Sequence, residues 1–402
     1  MTDRPPLPIV EPSLESRVRH LRVLTVTPFY PSEAEPTHGF FIAEPINALA
    51  KSGIVNTVFA LRPFYHGRVR ALESQPAEWM RYPSLPGRKG LPAAGAFVFA
   101  RIIGRVRELQ KTAGVDLIHA HGPLPCGHAA MLLSKELGIP YVVSVHGLDA
   151  FSTEQVRGRA GKWCGRISRR VFASSRRVIC ISERVREQVL QGMEGQSENC
   201  RTSVVYNGVD AEFFSPMEEP NPDLAVLSVG NLIPIKGHDV LIRAVASLAQ
   251  EYPVLKLEII GDGPELLRLK SLAKELGILE NVYFLGRQGR AEVVAAMRRC
   301  TIFALPSRYE GLGCVYLEAM SVAKPVIGCR GQGIAEVIQH GANGFLIGID
   351  NERELALAIS MLLRDESRRQ NLGRAAREII LDGFTLAQQA ERFVRIYREC
   401  VR

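Results

Sequence analysis

Ala225-Val226-Leu227-Ser228-Val229-Gly230-Asn231-Leu232-Ile233-Pro234-Ile235-Lys236-Gly237 runs from five β-forming positions into a loop bounded by glycines. A short apolar run of this kind, closed by glycine and followed by helix-period sequence, reads as a buried strand feeding a helix. The same unit recurs in both directions. Toward the C-terminus further strands are expected at 256–260, 282–284, 302–305, 325–327 and 344–347. Toward the N-terminus they are expected at 21–26, 55–61, 115–119, 141–145, 177–181 and 203–206, with helices in most of the gaps. Strands alternating with helices over the whole length imply stacked βαβ units, and so parallel, doubly wound α/β sheets. A polar, proline-bearing stretch from Asn207 to Pro222 interrupts the alternation once, in the manner of a linker. The expected division is a flexible N-terminal segment at 1–20, one Rossmann-like domain at 21–215, a second at 216–383, and a terminal amphipathic helix within 384–402. Ligands of such sheets bind beyond the carboxyl ends of the strands, so two of them face to face enclose a central cleft.

The chain has 402 residues, enough for two cores, and at 46% hydrophobic and 23% charged it reads as globular. Its first twenty residues lack the apolar core of a signal peptide, and its most apolar run, Leu91 to Ala100, is too short to span a bilayer. A cytoplasmic location is expected. The eight cysteines show no C-x-x-C pair or zinc spacing and are expected to be reduced. Residues 1–215 carry 27 Lys+Arg against 19 Asp+Glu, whereas 216–402 carry 23 of each, so the excess of +8 belongs to the first half. Within it, Arg157, Arg159, Lys162, Arg166, Arg169, Arg170, Arg176 and Arg177 form an arm with no acid among them, interleaved with Trp163 and Phe172. Such an arm suits an anionic membrane surface, with an aromatic residue as interfacial anchor, or else a solvated helix face or an acidic acceptor. A nucleic-acid partner is not expected, because the charge is confined to that one arm.

Pro306-Ser307-Arg308-Tyr309-Glu310-Gly311-Leu312-Gly313-Cys314-Val315-Tyr316-Leu317-Glu318 sets two carboxylates around a glycine-rich bend, the second on the helix that follows. Unpaired N–H groups at the start of a helix cradle anions, and a carboxylate one turn in accepts hydrogen bonds from hydroxyls. That combination fits a sugar joined to a diphosphate. Lys236 adds to it, since a lysine at a helix start is unfavourable beside the positive end of the dipole unless an anion is there. No D-x-D is present to hold a cation on a diphosphate, and His119, His121 and His128 lack an accompanying acid or cysteine set, so no metal is expected. The glycine pairs at 261, 311 and 331 do not complete G-x-G-x-x-G.

Taken in order, His146-Gly147-Leu148-Asp149, Asn207-Gly208-Val209-Asp210, Gly230 to Gly237, Gly261-Asp262-Gly263-Pro264 and Glu310 to Glu318 resemble the GT4 family of retaining glycosyltransferases, which have the GT-B fold. The resemblance runs from about Val23 to the C-terminus and is nearest to bacterial enzymes of surface-polysaccharide synthesis. It implies transfer of a hexose from a UDP- or GDP-sugar to a saccharide or lipid-linked acceptor, with no cofactor and no metal. The second domain would hold the donor and the first the acceptor, and the final helix would cross back to the first.

By the same resemblance Glu318 binds the donor ribose, Glu310 faces the transferred sugar, and Lys236 with the amides of Gly311, Leu312 and Gly313 holds the diphosphate. His146 contacts the sugar, Asp149 orients it or meets the acceptor, and Gly39 brings backbone close to the sugar phosphate. The family's usual arginine five residues before the lysine is Asn231 here, which leaves Arg287 and Arg308 as substitutes. A run at Gly331 to Glu336 fits a turn that brings backbone near the sugar. Two other classes fit the same features: a nucleotide-sugar epimerase, which would alter donor without an acceptor, and a non-catalytic binding protein, which would bind donor without turnover.

Overall fold

In the computed structural model, which describes residues 20–86, 90–151, 156, 158–217 and 224–402, the apolar runs assemble into two parallel sheets. The first contains β1 (Leu21–Thr27), β2 (Ile54–Pro63), β3 (Glu78–Tyr82), β4 (Leu117–His121), β5 (Tyr141–Val145), β6 (Arg177–Cys180) and β7 (Thr202–Val204), in the order β3-β2-β1-β4-β5-β6-β7. The second contains β8 (Ala225–Val229), β9 (Lys256–Ile260), β10 (Val282–Gly286), β11 (Ile302–Ala304), β12 (Val326–Cys329) and β13 (Phe345–Ile347), in the order β10-β9-β8-β11-β12-β13. In both, the strand order reverses beside the first strand, between β1 and β4 and between β8 and β11. Loops diverge at such a point and leave a crevice at the carboxyl ends of the strands.

Around the first sheet lie α1 (Phe40–Lys51), α2 (Leu91–Thr112), α3 (His128–Leu137), α4 (Gly158–Ser174) and α5 (Glu183–Gly192). Around the second lie α6 (His238–Leu248), α7 (Leu266–Glu275), α8 (Arg290–Arg299), α9 (Cys314–Ser321), α10 (Glu352–Arg364) and α11 (Glu366–Gly383). The chain ends in α12 (Leu386–Val401), opened by a capping box in which Thr385 and Gln388 bond each other's backbone. Its apolar face, Ala390, Phe393, Val394, Ile396, Tyr397 and Cys400, clusters with Val23, Leu117, Val142 and Ile179 of the first sheet. The last helix therefore completes the core of the lobe in which the chain began.

Several expectations shift. The edge strand β3 was not anticipated, because Glu78-Trp79-Met80-Arg81-Tyr82 mixes charge with bulk and pairs only with β2. Strand β4 starts two residues later than expected and so takes in His121. Helices α10 and α11 divide at Asp365, whose carboxylate caps α11 by accepting from the Arg368 amide at 2.8 Å. All but His20 of the segment 1–20 lies outside the described residues, as do Arg157 and part of the linker, 218–223. No helix among the described residues is long and apolar enough to cross a membrane. The eight cysteines are unpaired, and all but Cys314 are buried.

Candidate functional site between the lobes

A cleft of about 610 Å³ lies between the two lobes, at the carboxyl ends of both sheets. From the first lobe Gly39, Phe40, Phe41 and Glu44 reach it. From the second come Asn231, Lys236, Arg287, Arg290, Glu310 and Glu318. Two loops flanking the β8/β11 switch point build the second wall, and they are locked back to back. Gly237 adopts φ +70 and presses on the Pro306 carbonyl, where a Cβ would come within 2.0 Å, and the Arg308 amide donates to the Ile235 carbonyl at 2.7 Å. Only glycine meets both demands. The consequence is a contact between residues 74 apart: Lys236 Nζ lies 2.6 Å from Glu310 Oε2, with both side chains largely buried.

Glu310 is held from behind as well. Its amide donates to Gln332 Oε1 at 2.9 Å, and its carbonyl accepts from the Gly333 amide at 3.0 Å. The run at 331–336 thus supports the Glu310 bend and also ties the lobes together, since Glu336 accepts from the Glu183 and Arg184 amides and from the Tyr206 hydroxyl. Gly313, Cys314 and Val315 line the cleft at the start of α9. The N–H groups of a helix's first turn have no acceptor within the helix and so face such a space as donors. Gly311 and Leu312, expected among those donors, do not line the cleft. Gly311 is pressed against the His146 carbonyl and accepts a hydrogen bond from Ser182 Oγ at 2.6 Å, and Leu312 is core.

Glu318 is buried and ion-paired to Arg290, which also pairs with Glu44 of α1 and stacks over the rings of Phe40 and Phe214 at 5.0 and 4.7 Å. Arg290 and Glu44 were missed in the sequence. Arg290, like Lys236, puts a cation at a helix start, where it needs a nearby anion, and that signal is present in the sequence. Burial is the main force on Glu44 and pushes its carboxyl up to about 7, with Arg290 opposing and Glu318 and Asp210 adding to it.

Of the two substitutes for the absent arginine, Arg308 is turned elsewhere. Its guanidinium grips both oxygens of Asp239 at 3.0 Å and Asp350 at 2.7 Å, a fork-to-fork arrangement that leaves nothing for the cleft. Arg287 lines the cleft, exposed, with no ion pair among the described residues. Asn231 is exposed in the same wall. Gly39, at φ +80, lies where a Cβ would meet the Phe29 carbonyl carbon at 2.5 Å, so the β1 loop and the entry to α1 close on each other without room for a side chain.

His146 lines a small cavity of about 20 Å³ that adjoins the cleft through their shared wall residue Phe41. Its ring meets Phe41 edge-on at 5.0 Å, its Nε2 lies 3.0 Å from His121 Nδ1, and its buried Nδ1 has no partner among the described residues. His119 bonds Tyr397 of α12 and Ser144 at 2.6 and 2.7 Å. Burial pulls His119 down to about 3 and His146 to about 4, so these rings are neutral donors and acceptors at ordinary pH. Asp149 accepts from the His146 amide at 2.9 Å and folds the turn on itself, and burial raises its carboxyl to about 6. In the basic arm, Phe172 is fully buried against Phe151 and cannot anchor at an interface, whereas Trp163 is 55% exposed. Arg169 is drawn to Glu194 and Arg177 to Glu399, which leaves Arg159, Lys162, Arg166 and Arg170 as an exposed stripe on α4.

Residues 40–213 match the family described as Glycosyltransferase Family 4, and residues 210–379 match that described as Glycosyl transferases group 1. An uncharacterized glycosyltransferase of Methanocaldococcus jannaschii is 31% identical over 68% of this chain and 72% of its own length. The N-acetyl-alpha-D-glucosaminyl L-malate synthase of Bacillus anthracis is 28% identical over 75% and 79%. Among solved structures, the sucrose-phosphate synthase of Thermosynechococcus elongatus superposes with a TM-score of 0.78 at 20% identity, covering 94% of this chain and 98% of that one. Anabaena HepE, solved with UDP and glucose, superposes at 0.74 and 21% identity, covering 94% and 100%. With its two facing parallel-sheet lobes and a terminal helix returning to the first, the chain belongs to the family 4 (group 1) glycosyltransferases and has the GT-B fold.

Proposed function

We propose that the protein transfers a hexosyl group, with retention of anomeric configuration, from a UDP- or GDP-sugar to a saccharide or lipid-linked acceptor in the synthesis of a cell-envelope glycan. The observation that carries this is the convergence of Lys236, Glu310, Glu318 and the first amides of α9 on one cleft. Each group suits one part of a nucleotide sugar. Glu318 accepts from the two ribose hydroxyls once they displace Arg290. Lys236, with the amides of Cys314 and Val315, takes the diphosphate, and Arg287 supplies the second cation that Asn231 does not. Glu310, released from Lys236 by the phosphate, faces the sugar and stabilises the positive charge that builds at its anomeric carbon. Complexes of HepE with UDP-glucose lend weight to a UDP-sugar donor here.

In the step itself the bond from the anomeric carbon to the phosphate oxygen breaks and a bond to the acceptor oxygen forms on the same face. The departing phosphate oxygen takes the acceptor's proton, so no side-chain base is required. His146, neutral and with a free Nδ1, is assigned to bonding the sugar, and Asp149 to fixing the His146 turn. The cations of Lys236, Arg287 and Arg290 on the cleft wall support a reaction without a metal or other cofactor. Contact of the exposed α4 stripe with an anionic membrane would bring a lipid-linked acceptor within reach, and flotation with anionic and neutral liposomes tests it.

The deciding experiment is a thermal-shift screen against UDP, GDP and ADP and their sugars, followed by proton NMR of the product's anomeric signal. One diphosphate should raise the melting temperature as its concentration passes Kd. A protein indifferent to all of them would end this reading.

A further inference from the structure

Outside the cleft, an exposed apolar groove of about 510 Å³ lies on the first lobe. One side is formed by Phe64, just after β2, and by Pro83 and Leu85, just after β3. The other is formed by Phe97 in the second turn of α2 and Trp163 in α4. Phe64, Leu85, Phe97 and Trp163 are each between 46% and 64% exposed, and no carboxylate is among the described lining residues. Isolated exposed apolar residues need no explanation, but a concave run of four large ones does.

Cations stand along the rim among the described residues. Arg159, Lys162 and Arg166 flank Trp163 on the exposed side of α4, and Arg101 follows Phe97 by one turn on α2. An apolar trough edged with cations suits a ligand having a hydrocarbon chain and an anionic head. A second copy of this chain would bring the same positive rim against itself, which is unfavourable. Position narrows the ligand further. Phe64, Pro83 and Leu85 follow the carboxyl ends of β2 and β3, the end of the parallel sheet at which the cleft also opens.

We propose that this groove binds the hydrocarbon chain of a phosphate-headed, lipid-linked acceptor, with the α4 stripe holding the phosphate. The assignment rests on the transferase reading of the cleft and names the acceptor class for it.

The chain has two tryptophans, so Trp79→Phe leaves Trp163 as the sole reporter in the full-length protein. Dodecyl phosphate, kept below its micelle concentration, should shift Trp163 emission to the blue saturably. Dodecyl maltoside, which lacks the charge, should bind about tenfold more weakly or worse, and inorganic phosphate alone should give no shift. Phe97→Ser and Leu85→Ser, at exposed positions, should each weaken dodecyl phosphate by about tenfold. Absence of a shift with dodecyl phosphate, equal affinity for the maltoside, or unchanged affinity in Phe97→Ser each overturns the proposal. A shift seen only with phosphatidylglycerol vesicles also overturns it, by making the groove a membrane contact. UDP-induced stabilisation of the same samples reads the donor cleft separately. If it is missing while the lipid shift is present, the groove stands as a lipid site and only its role as an acceptor site fails.

Discussion

Arg290, in the first turn of α8 in the second lobe, is ion-paired to Glu44 of α1 in the first, and the same guanidinium holds Glu318. One cation thus spans the cleft and occupies the carboxylate assigned to ribose. Removing it by Arg290→Ala leaves two largely buried carboxylates facing each other, and a stability loss of about 3 kcal/mol is expected in urea titrations. Adding Glu44→Ala to that variant should restore part of the loss. Additive penalties would show that the two residues do not interact as the distances imply.

Glu44 also sets a pH dependence. Its carboxyl is raised to about 7 by burial, against Arg290 and with Glu318 and Asp210 nearby. Its unfolded value is lower, so the unfolded chain loses this proton first. The group's contribution to stability is therefore full below the unfolded carboxylate pKa and declines as pH rises to about 7. Glu44→Gln should flatten the stability profile between about pH 4.5 and 7, and a profile identical to the parent's would reject the shift.

Lys236→Ala removes the cation assigned to the diphosphate. Affinity for UDP, or for whichever diphosphate binds, should fall by about 1.5 to 3 kcal/mol in titration calorimetry, roughly 10- to 150-fold. Glu310→Gln should retain or raise that affinity, because no carboxylate then competes for Lys236, while turnover drops steeply. If the two variants exchange phenotypes, the assigned roles are reversed.

Gly237→Ala meets the Pro306 carbonyl and a positive φ together. Strain of about 1 to 3 kcal/mol is expected, with diphosphate binding lost in proportion, because the Lys236 loop must separate from the Glu310 loop. Gly341→Ala is the control: its φ is +80 but nothing lies near its Cβ, and it should lower stability without affecting the ligand.

Tyr397→Phe cuts the hydrogen bond from α12 to buried His119. Leaving a buried ring nitrogen unpaired costs about 1 to 3 kcal/mol, and the melting temperature should fall accordingly while cleft affinity is retained. Loss of UDP binding in this variant would mean that α12 shapes the cleft directly.

The alternation of apolar strand and amphipathic helix was enough to read two parallel sheets, because burial on both faces leaves a periodicity in the chain itself. The glycine-rich turns and the charges at 236, 310 and 318 were legible for a related reason: their local conformations and helix-start positions constrain residue type whatever surrounds them. What the order of residues could not state is which distant groups meet. Arg308 and Arg290 are equally basic in the sequence, yet Asp239 claims the first while Glu44 and Glu318 draw the second into the cleft. Phe172 and Trp163 stand nine residues apart on one helix, and only the packing of α4 against its lobe buries one and exposes the other. Contacts between lobes depend on how two separately folded cores sit against each other, and that is decided by shape and charge across the interface.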